Sequence, residues 1–185
     1  MTTTYKQLRE NAKRNSKIMF LIAIVSGIVL LTTAVIAIVF SVRFGRNCEG
    51  YLARAGNANS IDIARTELKV ALDFLEKENL TTGYTSVMYT TPNEDIGFWY
   101  NNIKSAYNQL DAIDSDSISQ LEESNILIKL RETLMDAHEG SYHVTVPCGI
   151  SRHPNNTLFA ISCWVSILIC ITSLARGIYV GDYWW

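Results

Sequence analysis

The sequence holds almost none of the patterns that announce chemistry. It has no glycine-rich phosphate loop, no nucleophile elbow and no Cys-x-x-Cys pair, the signatures of phosphate binding, serine hydrolysis and thiol redox work. His138-Glu139 followed by His143 falls short of a zinc-protease helix, which needs its histidines four apart on one helix; here they are five apart across Gly140. Asp111, Asp114 and Asp116 with Glu122 lack the spacing and the glycine of a calcium loop and read as a solvated, helix-capping linker. No catalytic residue, metal site or cofactor is assigned on these grounds.

Charge is also missing where it matters most. From Ile18 to Val42 there are 25 residues without one charged side chain. A helix of about 20 apolar residues crosses the hydrocarbon layer, because its backbone satisfies its own hydrogen bonds there. A secretory leader has an apolar core of only about 7–15 residues and a small-x-small cleavage site. This run is longer and ends in Phe40-Ser41-Val42-Arg43, so it reads as an uncleaved anchor.

What is present divides by sign. Residues 1–17 carry Lys6, Arg9, Lys13, Arg14 and Lys17 against Glu10 alone, a balance of +4, whereas residues 43–157 hold ten basic and sixteen acidic side chains, a balance of −6. The positive-inside rule puts the basic tail in the cytoplasm and the acidic stretch on the far side. An acidic exported domain excludes nucleic acid as a partner, since phosphate binding needs clustered Lys and Arg.

A second charge-free run, Leu158–Ala175, is closed by Arg176 and is read as transmembrane helix 2 over residues 158–177. Arg176, Tyr179, Tyr183, Trp184 and Trp185 are the expected interfacial anchors, because long cations snorkel and amphipathic rings favour the headgroup layer. Residues 178–185 then form a cytoplasmic aromatic tail, and neither tail has room for a cytoplasmic catalytic domain. Ser162, Ser166, Cys170 and Ser173 fall at helical spacing. Such a stripe of small side chains permits close helix packing in lipid, against the first helix or another subunit.

Of the four cysteines, Cys163 and Cys170 lie within the second run and read as packing residues, while Cys48 and Cys148 flank the exported stretch. Two membrane helices leaving side by side would bring these two together in an oxidising compartment. The sequence therefore predicts a Cys48–Cys148 disulfide, whose loop of about 100 residues would add up to about 4.7 kcal/mol.

The exported stretch, 43–157, reads as a small helical bundle. Residues 43–55 prolong the first helix until Gly56 and Asn57 break it, and Asn59 or Ser60 caps the next one. Ile61, Ala64, Leu68, Ala71, Leu72 and Leu75 make one apolar face of a helix over 61–78, left through Asn79 and Gly83. Thr91-Pro92-Asn93-Glu94 has the form of a capping box with proline at the first helical position. The helix it opens carries Ile96, Trp99, Tyr100, Ile103, Tyr107 and Leu110 on one side. Phe98, Trp99 and Tyr100 together are either core or a partner-binding aromatic patch. Ser117-Ile118-Ser119-Gln120 repeats the capping pattern before a helix that reaches His138 and stops at Gly140. Tyr84–Thr91 and Ser141–Val146 have strand composition. They form one short β-hairpin-like pair or remain extended loop. Asn79-Leu80-Thr81 and Asn155-Asn156-Thr157 are glycosylation sequons.

The fold class read from sequence is thus an all-α membrane protein, two transmembrane helices flanking a small exported helical bundle. In architecture alone, without a shared motif, the layout resembles the input half of bacterial chemoreceptors. The expected role is non-enzymatic: an accessory or structural subunit of a larger membrane complex, in contact with the lipid bilayer and with a protein partner or a second copy. The alternative is a ligand-sensing exported domain that signals through a partner.

Overall fold

The computed structural model describes residues 2–114, 117–138 and 141–182. The chain is mostly helical and divides into two compact units, one of them made of the residues up to Ile38 with those from Thr157 onward and the other of Val39–Asn156.

The first unit pairs α1 (Thr2–Phe44) up to Ile38 with α6 (Asn156–Asp182) from Thr157 on. Both helices are long and apolar enough to cross a membrane. Their side chains are distributed opposite to those of a water-soluble pair. Leu21, Leu31, Trp164 and Leu168 are exposed, while Ala23, Ser26, Ser166 and Ser173 are buried. Small residues let the two backbones approach, and little apolar surface is hidden by doing so. Two threonine hydroxyls return to their own helices, Thr33 to the carbonyls of Val29 and Leu30 and Thr172 to that of Leu168, which satisfies those donors within the helix.

In the second unit the helical chain continues from α1 through a π turn at Gly45–Glu49 into α2 (Gly50–Gly56). Phe44, Cys48, Leu52 and Ala55 recur at spacings of four and three and are all buried. At the centre lies α3 (Ile61–Lys77), touching α2, α4 (Ile96–Asp111) and α5 (Gln120–Leu134). Ser60 caps α3, its Oγ accepting from the Ile63 N–H at 3.4 Å. Ile61, Ala64, Leu68, Ala71 and Leu75 are fully enclosed, the face their spacing predicts. The exit uses Asn79 at φ +57°, and the Leu80 N–H turns back to the Leu75 carbonyl at 2.8 Å. Arginines close two other helix ends. Arg65 donates to the carbonyls of Leu110 and Ile113, each at 2.8 Å, and Arg131 donates to that of Gly56 at 2.9 Å, supplying partners to carbonyls a helix terminus leaves open.

A short hairpin is present, but Tyr84–Thr91 is not its second strand. Ser141–Val144 is a strand, β2, but it pairs antiparallel with β1 (Met135–His138), in the stretch read as the end of a helix. Tyr84–Thr91 makes a single bridge among the described residues, Tyr84 opposite Asp95. The Thr145 N–H takes the Leu134 carbonyl at 2.9 Å, so the strand ladder claims α5 where helix bonds would have continued. Two caps move as well. Thr91-Pro92-Asn93-Glu94 makes only a 3-10 turn, and Asp95 caps α4, accepting from the Phe98 N–H at 3.1 Å. Ser119, not Ser117, caps α5. Gly140, Asp116 and Glu139 lie outside the described residues.

The predicted Cys48–Cys148 disulfide is absent: all four cysteines are free. Cys48 sits on the inward stripe with no exposed surface, whereas Cys148 is exposed in the segment after β2. Nearness to the helix ends in sequence does not set where a side chain points; the helical register does, and it turns Cys48 into the core. Burial, with the Glu49 charge adding to it, pushes the Cys48 thiol well above its ordinary range, which denies it the thiolate that disulfide exchange requires.

Candidate functional site

The Val39–Asn156 unit carries a cleft of about 540 Å³. Each wall follows from a local feature described above. The turn Thr91–Glu94 and the first turns of α4, with Asp95, Phe98, Trp99 and Asn102, make one side. The end of α5 with Asp136 on β1 makes another, and the segment Thr145–Cys148 a third. Leu52 and Ile103 reach it from the core.

Its parts are pinned. The Trp99 indole N–H donates to the Thr145 carbonyl at 2.7 Å, fastening α4 to the segment that leaves the hairpin. Thr91 Oγ1 donates to the Glu94 carboxylate at 2.6 Å. Phe98 is 65% exposed, Trp99 is half-buried and Tyr100 is 6% exposed. The three aromatics singled out from sequence therefore do not share a surface: Phe98 and Trp99 line the cleft, and Tyr100 belongs to the core. Every ionisable carboxylate or base in the lining is acidic, namely Glu94, Asp95 and Asp136, and the exposed thiol of Cys148 is at the same surface. Among the described residues no three His, Cys, Asp or Glu side chains converge as a metal site would require.

Tyr100 takes part in a second polar arrangement. Its phenol donates to Glu76 Oε1 at 2.5 Å, and Lys104 Nζ donates to both, at 2.9 Å to the phenol and 3.1 Å to the carboxylate. The Tyr100 hydroxyl holds the Glu76 carboxyl below its ordinary value, with Lys104 second. Burial raises Tyr100, with Glu76 adding to it, and the Tyr100 and Glu76 contacts raise Lys104. These shifts keep the phenol protonated and the carboxylate charged at neutral pH. The triangle is a latch between α3 and α4, without a mobile proton.

In the first unit, Ser166 and Ser173 are buried and Ser162 and Cys170 are half-buried on α6. The Cys170 thiol lies 3.9 Å from the Ala23 carbonyl, and Ser16 Oγ donates to the Gly177 carbonyl at 3.1 Å. A Cβ on Gly177 would stand 3.4 Å from the Phe20 ring. Cys163 is exposed. Arg176 and Tyr179 are exposed, and Tyr183, Trp184 and Trp185 lie outside the described residues.

Sequence reasoning missed Asp136, Thr145, Val146 and Pro147 as site residues and gave Cys148 to a disulfide instead of to the cleft. The signal was the strand alternation Met135-Asp136-Ala137-His138, hidden inside an apparent helix. No protein-family model, no curated protein and no solved structure matches the chain.

Proposed function

We propose that this chain is a non-enzymatic integral membrane protein that works by contact, as an accessory or structural subunit of a larger membrane complex. In this reading α1 and α6 cross the bilayer, both termini are cytoplasmic, and the Val39–Asn156 unit lies on the other side. The basic tail supports that orientation, and the outward-facing apolar side chains of the two helices support lipid as their surroundings. The observation that carries the contact role is the loop between α3 and α4. There Val87, Met88 and Tyr89 stand in a row, with Met88 84% and Tyr89 78% exposed. Large apolar side chains grouped on a surface mark interaction sites more often than chance exposure does. Extraction into mild detergent followed by native mass spectrometry tests it. The expected species is a defined complex that Met88→Ser with Tyr89→Ser dissociates without changing the far-ultraviolet circular dichroism. A clean monomer from the native membrane, with nothing bound, refutes it.

A second reading, a ligand-sensing exported unit, is favoured by the cleft, whose volume of about 540 Å³ falls in the range of small-molecule sites. A ligand held there would raise the unit's melting temperature by mass action. If no small molecule moves that temperature, the reading fails.

A further inference from the structure

The cleft is specific in what it offers a ligand. Phe98 and Trp99 give it aromatic side chains, and Glu94, Asp95 and Asp136 give it carboxylates, with no Lys, Arg or His in the lining. An anion entering it meets three like charges and no cationic partner. A metal ion needs several ligands converging on one point, and among the described residues none do. An organic cation has neither difficulty. Its charge is served by carboxylates at a distance, and its carbon body by Phe98 and Trp99, which attract ammonium groups through the ring quadrupole. Trp99 is also held in place by its bond to Thr145, so its ring needs little ordering when a ligand arrives.

We propose that this cleft binds a small organic ammonium ion carrying apolar substituents. The inference rests on the ligand-sensing reading and goes further by naming the chemical class. Electrostatics supply the preference and the aromatic walls supply the grip, so the two contributions separate under substitution.

Cys148 provides the measurement, because it is exposed, free and part of the lining. The full chain in zwitterionic lipid nanodiscs is treated with a trimethylammonium-bearing or a sulfonate-bearing methanethiosulfonate. Modification of Cys148 is followed by peptide-mapped mass spectrometry, and each rate is divided by that of the urea-unfolded chain. The cationic reagent is expected to be favoured about tenfold at low ionic strength, less as salt is added. Glu94→Gln with Asp136→Asn should bring the ratio towards one. Three competitors built on the same ring are then compared: benzyltrimethylammonium, benzoate and benzyl alcohol. Only benzyltrimethylammonium should slow Cys148 modification saturably, and Phe98→Ala should abolish that protection while leaving the reagent ratio intact. Protection by benzoate or benzyl alcohol at equal concentration overturns the cation assignment and leaves the ligand-sensing reading standing. Protection by none of the three overturns the cation assignment whatever the reagent ratio, and the ligand-sensing reading falls with it only if no small molecule raises the melting temperature.

Discussion

Gly56 closes α2, and its importance is room, not backbone freedom. A Cβ built there would stand 2.7 Å from Met135 Sδ and 3.1 Å from Met135 Cγ. Met135 is itself buried at the junction of α5 and β1, so it cannot swing aside into solvent without opening the core. Gly56→Ala thus has two opposing effects. Alanine favours the helical backbone by up to about 1 kcal/mol, and forcing a methyl into a packed site costs about 1–3 kcal/mol. The net expectation is a loss of about 1–2 kcal/mol. Met135→Ala alone leaves a cavity and costs about 2–5 kcal/mol. In that background the added methyl has space, and Gly56→Ala becomes neutral or mildly stabilising. Urea unfolding of the four chains in detergent micelles, read by pulse proteolysis of the Val39–Asn156 unit, gives the coupling. The two changes should depart from additivity by about 1–3 kcal/mol. If Gly56→Ala costs the same with and without Met135, the contact is not what demands glycine, and the packing of α2 on the hairpin has been misread.

Three further outcomes are expected. In the folded chain a maleimide should label Cys148 and spare Cys48, and dithiothreitol should leave the urea midpoint unchanged; rapid labelling of Cys48 or a drop on reduction would contradict its burial in the core. Tyr100 and Lys104 have folded pKa values raised above their ordinary 10.0 and 10.5, and Glu76 has one lowered below 4.5. The stability they contribute is therefore complete between about pH 5 and pH 9.5, lost above as pH rises through the raised values and lost below as it falls through the lowered one; Tyr100→Phe should flatten both shoulders of the urea midpoint against pH, and an unchanged profile would dissolve the latch. Asn156 Nδ2 donates to the Thr85 carbonyl at 2.5 Å and to that of Gly149 at 3.3 Å, so Asn156→Asp, same in shape but without the donor, should cost about 2–4 kcal/mol in the urea assay. A change below about 0.5 kcal/mol would mean that these bonds hold nothing.

Legibility followed the range over which each signal acts. The face of α3 could be read, and its cap narrowed to Asn59 or Ser60, because period and cap are both local to about 18 residues, and the glycine and asparagine after it mark the exit. The two apolar helices could be read because their length against the bilayer thickness needs no tertiary knowledge. The α5–hairpin boundary could not. Leu127, Leu130 and Leu134 keep a helical period that Met135 extends in the sequence, and only the pairing of Met135 with Val144 reverses the reading. The α4 cap shows competition of another kind. Thr91 and Glu94 do satisfy one another, as a capping box would have them do in part, but they do so as side chains on a 3-10 turn, and Asp95 takes the free N–H.

The cleft was hidden for the same reason. Phe98 and Trp99 were visible as aromatics, but their neighbours across the cleft, Asp136 and Thr145–Cys148, come from segments about 40–50 residues further along the chain, brought in by the hairpin. The cysteine error and the missed cleft thus share one cause. Position along the chain suggested a covalent tie between Cys48 and Cys148, whereas the helical register buries the first and the hairpin delivers the second to an exposed wall. Beside Cys148 the chain is fastened by an amide instead: Asn156, at the start of α6, holds the carbonyls of Thr85 and Gly149. A hydrogen-bonded tie can be broken and remade without an oxidant. It also leaves the Cys148 thiol free at the cleft, where its reactivity reports what the cleft contains.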